Sequence, residues 1–186
     1  MRSDVNLVIN YRSCNAKERI NMIYMNYPTF EDIIEGYRQG LIYEITAQKS
    51  YNRKSNKGDL GVRVQTLGIH SDITADQAIE NVLIGDALDT GNLSEDFYAG
   101  TDDRNDLTRK VNIYWMMQNE YALFTAQLKT MDYEDALIIR PYIIKEKSIG
   151  ELAEDLHIEP ESVRKKVYRI KKKLVAQIQP YFRENL

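Results

Sequence analysis

Residues 148–174 of this chain have the sequence SIGELAEDLHIEPESVRKKVYRIKKKL. Ser148 is a favoured helix N-cap, and Glu151 stands three residues later, as a capping box requires. Pro160 is preorganised to begin a second helix. His157 lies between them, where a tight turn often needs left-handed backbone, and histidine tolerates that conformation better than most residues. The stretch therefore predicts two helices joined by a tight turn.

Apolar residues recur at helical spacing on one side of each of these helices, which indicates that the two helices pack together. Ala153 is small enough to let the second helix cross close by. The expected buried set is Ile149, Leu152, Ala153, Leu156, Ile158, Val163, Val167, Ile170 and Leu174. The charged residues of the second helix are then left on its outward face.

Charge is strongly segregated along the chain, although the formal net charge is only −3. Residues 72–106 carry ten acidic residues against Arg104 alone, and residues 164–173 carry seven basic residues and no acid. DNA responds to the local patch within a Debye length of about 8–10 Å, so the total charge does not exclude it as a partner. A cationic helix held by a shorter neighbour is typical of proteins that read duplex DNA.

The outward residues of the second helix carry the groups that major-groove recognition uses. Arg164 and Lys165 can donate to guanine O6 and N7, and Ser162 can contact a base or a phosphate. Glu161 either accepts a hydrogen bond from a cytosine amino group or lowers the affinity of the helix for DNA. The predicted DNA-binding set is Lys147, Ser148, Glu161, Ser162, Arg164, Lys165, Tyr168, Arg169, Lys172 and Lys173, in which Lys147, Arg169, Lys172 and Lys173 are expected on phosphates. The alternative for this helix is a basic, solvated face of a protein-binding module.

Residues 151–174 resemble region 4 of bacterial sigma-70-type factors, especially those of the extracytoplasmic-function branch. The matching positions are Leu152, Ala153, Leu156, Ile158, Ser162, Val163, Arg164, Lys166, Val167, Arg169 and 171–174. The resemblance implies that the second helix recognises a promoter −35-type element and that the domain contacts the flap of RNA polymerase. Two residues depart from the family pattern, His157 at a usual glycine and Glu159 at a usual serine or proline.

The promoter-melting region 2 of a full sigma factor is not found in residues 1–130. The chain is instead similar to the sigma-like regulators of phages and mobile elements in Gram-positive bacteria, which place a helical N-terminal part before a region-4-like end. We therefore expect an all-α protein with a helical N-terminal region, 1–103, and a helical domain, 104–186, that ends in a helix-turn-helix.

Upstream of the helix pair, hydrophobic periodicity predicts four further helices. Residues 1–26 have no clear assignment, and we expect loops or connectors at 52–59, 61–68 and 91–103. Thr29, Thr74 and the acidic residues 132–135 are expected to begin helices, Gly91 to end one, and Pro141 to kink or end another. The expected buried residues are Phe30, Ile33, Ile34, Tyr37, Leu41, Ile42 and Ile45; Ala75, Ile79, Val82, Leu83, Ala87 and Leu88; the aromatic stripe of residues 105–130; and Ala136, Leu137, Ile139, Ile143 and Ile144.

Enzymes, cofactor-binding proteins and membrane proteins are not indicated. The phosphate-binding patterns G-x-x-x-x-G-K-[ST] and G-x-G-x-x-G are absent, as is C-x-x-C, so we expect no catalytic site, metal or cofactor. No apolar run approaches the roughly 20 residues of a membrane helix, and the N-terminus lacks a secretory signal. Cys14 is the single cysteine, which makes a reducing cytoplasm the default location.

The leading hypothesis is a sequence-specific transcription regulator that binds double-stranded DNA in the cytoplasm and acts with RNA polymerase. An alternative is a protein-binding inhibitor or adaptor that presents the acidic residues 72–106 as a DNA-like surface. A homodimer through the aromatic stripe of residues 105–130 is a further hypothesis.

Overall fold

The computed structural model describes residues 2–55 and 73–182, and within those ranges every regular element is a helix. This confirms the all-α fold class. None of the helices in these ranges combines the length and the apolar character needed to cross a bilayer. The elements are α1 (Arg2–Tyr11), α2 (Ala16–Asn26), a 3-10 turn (Tyr27–Thr29), α3 (Phe30–Ser55), α4 (Ile73–Thr90), α5 (Glu95–Tyr98), α6 (Arg104–Lys129), α7 (Tyr133–Ile143), α8 (Ile149–Asp155), α9 (Pro160–Ile178) and a 3-10 turn (Gln179–Tyr181).

The chain divides into two compact units. Unit 1 comprises Met1–Ile34 together with Trp115–Leu186, and unit 2 comprises Glu35–Tyr114. This division differs from the expected boundary between residues 103 and 104. The reason lies in unit 1, where α2 packs against α9 and so brings the N-terminal helices into the same core as the C-terminal ones.

A buried ionic cluster joins the first two helices of unit 1 to α6. Arg19 is only 1% exposed, and its Nε and Nη2 donate to the carboxylate of Glu120 over distances of 2.9 to 3.1 Å. Its Nη1 donates to the carbonyl of Cys14 at 2.7 Å, and the hydroxyl of Tyr11 donates to Glu120 at 2.7 Å. Burial raises the pKa of Tyr11 well above its usual value. The buried charges are therefore paired and hydrogen-bonded, as a buried ion pair requires.

Residues 1–26 had no clear assignment from sequence; of these, the described residues 2–26 contain α1 and α2. A local signal for α2 was present, because Asn15 and Glu18 form a reciprocal capping box at its start. The burial of Arg19 on α2 has no such signal, since its carboxylate partner lies 101 residues away.

The aromatic stripe of α6 contributes to the core of the chain. In unit 1, Tyr121 stacks on Phe30 with ring centroids 5.6 Å apart, and Phe124 lies 5.6 Å from Tyr27. In unit 2, Tyr114 is buried and its hydroxyl donates to Asp89 at 3.0 Å. These contacts agree with the burial expected of the stripe, and the homodimer hypothesis stays a prediction.

Helix α3 buries most of the predicted face, with Ile33 and Tyr37 half-buried, and it extends into the predicted loop at 52–59. It begins at Phe30 after the 3-10 turn that ends at Thr29, and it continues to Ser55. The predicted loop at 52–59 is therefore wrong for residues 52–55. Asn52 lies in the last turns of α3, where its side-chain amide donates to the carbonyl of Gly100 at 2.9 Å and to Asp102 at 2.7 Å. The rest of that loop and the connector at 61–68 lie outside the described residues.

Helix α4 has a different start and a different buried face from those predicted. It begins at Ile73, so Thr74 lies inside the helix and is not its N-cap. Leu88 is buried as expected, together with Ile84, and Ala87 is half-buried. The prediction was wrong for Ala75, which is exposed, and for Ile79, Val82 and Leu83, which are 60%, 61% and 63% exposed. The apolar residues of α4 are distributed around its whole circumference, so their spacing alone did not determine which side of the helix would be buried.

The neighbourhood of α5 was also only partly predicted. Gly91 ends α4 with φ +75, as expected. The predicted loop at 91–103, however, contains the short helix α5, whose Phe97 is buried.

The start of α7 agrees with the acidic signal at residues 132–135, and Pro141 lies in its last turn. Its buried side includes Ala136, Ile139 and Ile143 as predicted. The prediction was wrong for Leu137 and Ile144, which are exposed, while Ile138 is buried instead. The neighbouring positions 137–139 and 143–144 are all apolar, so the pattern did not identify the inward ones.

The ionic cluster predicts a large stability difference between two arginine substitutions. Arg19→Met leaves the carboxylate of Glu120 buried without its cation, and we expect a loss of about 3–5 kcal/mol in the free energy of unfolding. Arg104→Ala removes an exposed pair with Glu95, and we expect a loss below about 1 kcal/mol. Urea unfolding followed by circular dichroism measures both, and equal losses would contradict the assigned role of Arg19.

Candidate nucleic-acid interface

The start of α8 has the predicted capping box. The hydroxyl of Ser148 accepts the backbone N–H of Glu151 at 3.3 Å, and the carboxylate of Glu151 accepts the backbone N–H of Ser148 at 2.7 Å. The hydrogen bond from the backbone N–H of Ser148, together with one from its hydroxyl, holds the pKa of the Glu151 carboxyl below its usual value. The hydroxyl of Ser148 also donates to this carboxylate at 2.7 Å, so the polar groups of Ser148 are already used in capping α8.

The turn between α8 and α9 passes through left-handed backbone at His157, where φ is +52. This confirms the conformation expected at that position. The N–H of Ile158 then donates to the carbonyl of Ala153 at 3.1 Å, and α9 begins at Pro160 as predicted. The turn sets the direction in which α9 leaves α8.

The predicted seam of α9 is buried along its whole length. Val163, Val167, Ile170 and Leu174 are buried, and Ile178 extends the same side by one turn. Helix α9 packs against α8, α7 and α2 of unit 1. Of the other residues expected to be buried, Leu152 and Ala153 are buried, Ile149 and Ile158 are half-buried, and Leu156, the C-cap of α8, is exposed. The seam leaves the opposite side of α9 facing solvent.

The outward face of α9 contains the residues expected there. Glu161, Ser162, Arg164, Lys165, Tyr168, Arg169 and Lys172 are all exposed. Arg164 lies 3.3 Å from the carboxylate of Glu161, one turn away, and both side chains are more than half exposed. An exposed pair of this kind contributes little, so Arg164 remains available to an external acceptor.

Two of the predicted phosphate contacts have acidic partners within unit 1. Lys173 pairs with Asp132 and Asp135 of the α7 N-terminus, and these hydrogen bonds raise its pKa. Lys147 pairs with Asp155 at 2.6 Å, which raises the pKa of Lys147. A phosphate would have to compete with these carboxylates, so both lysines are weaker candidates than the rest of the set.

Lys171 belongs to the basic run of α9 but does not face outward. Its amine lies 4.3 Å from the ring centroid of Tyr24 and donates to the side-chain oxygen of Asn21 at 2.6 Å. Burial lowers its pKa. The position of Lys171 four residues after the buried Val167 is the sequence signal for this orientation, because residues i and i+4 share a helix face.

The remaining cations of α9 are exposed, apart from Lys166, which is half-buried. Within residues 7–53 and 75–182, no carboxylate forms an ion pair with Lys165, Lys166, Arg169 or Lys172. Together with Arg164 they form a cationic face on one side of one helix, which we call the α9 face. Comparisons of the chain with protein-family models, with curated proteins and with solved structures found no match.

The left-handed turn predicts opposite effects of two substitutions at His157. Glycine removes the steric cost of positive φ, so His157→Gly is expected to raise the free energy of unfolding by about 0.5–1 kcal/mol. A β-branched residue tolerates the conformation poorly, so His157→Val is expected to lower it by about 1–2 kcal/mol.

Glu154→Gly is a suitable control in the same experiment. Glu154 is exposed inside α8, where glycine lowers helix stability by about 1 kcal/mol. Thermal unfolding in which glycine destabilises equally at 154 and 157 would contradict a strained turn.

Proposed function

We propose that α8 and α9 form a helix-turn-helix unit and that the chain is a sequence-specific DNA-binding transcription regulator. The observation that carries this proposal is the exposed α9 face, held outward by the buried seam on the opposite side of the same helix. A helix of this kind fits the major groove, which is about 12 Å wide. The phosphates of the duplex complement the five cations of the face.

The order of residues along α9 supports separate roles for its N-terminal residues, which contact bases, and for its later residues, which contact phosphates. The N-terminal residues of a recognition helix approach base edges, which places Ser162, Arg164 and Lys165 at the bases. Arg164 and Lys165 are the guanine contacts in this proposal, and Glu161 orients Arg164 or accepts from a cytosine amino group. Arg169 and Lys172 lie farther along α9 and bind phosphates, with Tyr168 exposed beside them.

The finer assignment rests on the sequence of residues 151–174. We propose a domain similar to sigma region 4 that recognises a promoter element and acts with RNA polymerase in the cytoplasm, as a phage or mobile-element regulator would. In this proposal Lys147, Ser148 and Lys173 contribute less than the α9 face, because their polar groups already have partners.

Two adjacent lysines test whether the α9 face binds the DNA backbone. Lys172→Met removes an outward charge, and we expect weaker binding to every duplex and a log–log salt slope that is smaller by about 1. Lys171→Met removes the same charge from a side chain that faces Tyr24 and Asn21, and we expect little change. Fluorescence anisotropy with duplex DNA at rising salt measures both slopes.

Two outcomes would oppose DNA binding by the α9 face. One is wild-type binding that does not weaken with salt. The other is an equal loss of affinity in the Lys171 and Lys172 variants, provided that both variants unfold at the wild-type temperature.

A second prediction concerns specificity. The preferred duplex is first selected from random sequences with the wild-type chain, and the selection is repeated with Arg164→Ala. Loss of a bidentate guanine contact costs about 1–3 kcal/mol at one base position, so we expect the preference to relax at that position. An unchanged selected sequence with uniformly weaker binding would assign Arg164 to the phosphates instead.

A further inference from the structure

Helix α4 of unit 2 exposes a continuous apolar stripe to solvent. Ile79, Val82 and Leu83 are spaced i, i+3 and i+4, so they share one side of the helix, and each is at least 60% exposed. Ala75 and Ala78 are exposed one turn earlier. Large apolar side chains grouped on a surface in this way mark interaction sites more often than isolated ones do.

The stripe borders an open groove with a volume of about 600 Å³ in unit 2. Ile79, Leu83 and Ala87 line it along α4, and Phe97 of α5 lines it as well. We call this surface the α4 groove. Phe97 is itself buried, so this part of the groove has an apolar wall continuous with the core of unit 2.

The charge around the α4 groove is predominantly negative. Asp76, Glu80, Asp86 and Asp96 line it, and α4 contains no lysine or arginine. The two cations that also line the groove have partners in unit 2. Lys49 donates to the carbonyl of Asp96 at 2.9 Å, and Arg53 pairs with Glu80. An apolar surface with an acidic rim therefore complements a ligand with an apolar face and a basic rim.

We propose that the α4 groove binds an amphipathic helix of a partner protein, with its apolar residues on Ile79 and Leu83 and its lysine or arginine residues toward the acidic rim. The helical spacing of the stripe suits a ligand with anchors at i, i+3, i+4 and i+7. The inference goes beyond the DNA-binding function and does not depend on it, because the groove uses none of the α9 residues.

A second copy of this chain fits the α4 groove less well. Pairing of α4 with α4 would bring Asp76 and Asp86 of the two copies together, and like charges at an interface are unfavourable. The α9 face has the right charge, but it lacks the apolar stripe that the groove requires. A DNA-like role for residues 72–106 explains the acidic residues alone, whereas the proposed ligand also explains the exposed apolar ones.

The test uses two labelled peptides of 18 residues, the length of α4. Both have leucine at i, i+3, i+4 and i+7 and alanine elsewhere, with lysine on the flanks of one and glutamate on the flanks of the other. We expect the lysine peptide to bind the full chain at least about tenfold more tightly than the glutamate peptide, a difference of about 1.4 kcal/mol. Equal binding of the two peptides, or no binding of the lysine peptide, would overturn the proposal.

Three variants of the full chain locate the binding surface. Leu83→Asp should weaken the lysine peptide about tenfold or more. Leu137→Asp places the same substitution on another exposed leucine, in α7 of unit 1, and should leave the affinity unchanged. Asp86→Lys keeps the apolar stripe and should weaken the lysine peptide while strengthening the glutamate peptide. The proposal fails if Leu83→Asp and Leu137→Asp behave alike, or if Asp86→Lys changes neither peptide.

Two further measurements identify other occupants of the groove. A wild-type dimer in sedimentation equilibrium that Leu83→Asp dissociates would assign the groove to a second copy and overturn the partner helix. A large fall in unfolding temperature for Leu83→Asp would show that another segment of the chain covers the α4 groove, and this too would overturn the partner helix. Titration of the wild-type chain with duplex DNA separates this proposal from the DNA-binding one, because the groove contains no α9 residue: the lysine peptide can bind a chain that does not bind DNA, and DNA can bind a chain that does not bind the peptide.

Discussion

The buried seam of α9 is the constraint on which the proposed interface depends. Val163, Val167, Ile170 and Leu174 pack into unit 1, and burial of each such side chain stabilises the fold by about 1.5–3 kcal/mol. Because a helix turns by about 100° per residue, the seam also determines which charged residues face solvent. Lys171 and Lys172 are neighbours in sequence, yet only Lys172 lies on the α9 face. The seam thus selects the DNA-binding candidates from a run of seven cations.

The ionic cluster of Arg19 and Glu120 holds in place α2, an N-terminal helix that packs against α9. It holds α2 to α6 within unit 1. Asn21 and Tyr24 of α2 are the residues that take up Lys171. Helix α2 therefore packs against the proposed recognition helix, α9, and withdraws the charge of Lys171 from its outward face.

Local signals made the helix pair predictable, whereas contacts between distant segments were not. Ser148 with Glu151, His157 and Pro160 each act within a few residues, so the caps, the turn and the start of α9 could be placed from sequence. The partners of Lys173 lie 38 and 41 residues away, and nothing near Lys173 indicates them. The buried side of α4 was predicted wrongly for another reason. The apolar residues of α4 lie on all of its sides, so which side is buried depends on the elements that pack against it.

The opposite charges of α9 and α4 bear differently on the proposed recognition of DNA. With a net charge of −3, the chain as a whole gains little from long-range attraction to DNA. Acidic residues 72–106 repel phosphates, whereas the cations of the α9 face attract them, so in the proposed function the attraction to DNA comes from the α9 face. The apolar stripe of α4 contributes nothing to this effect, which is why it requires a separate explanation such as a partner helix.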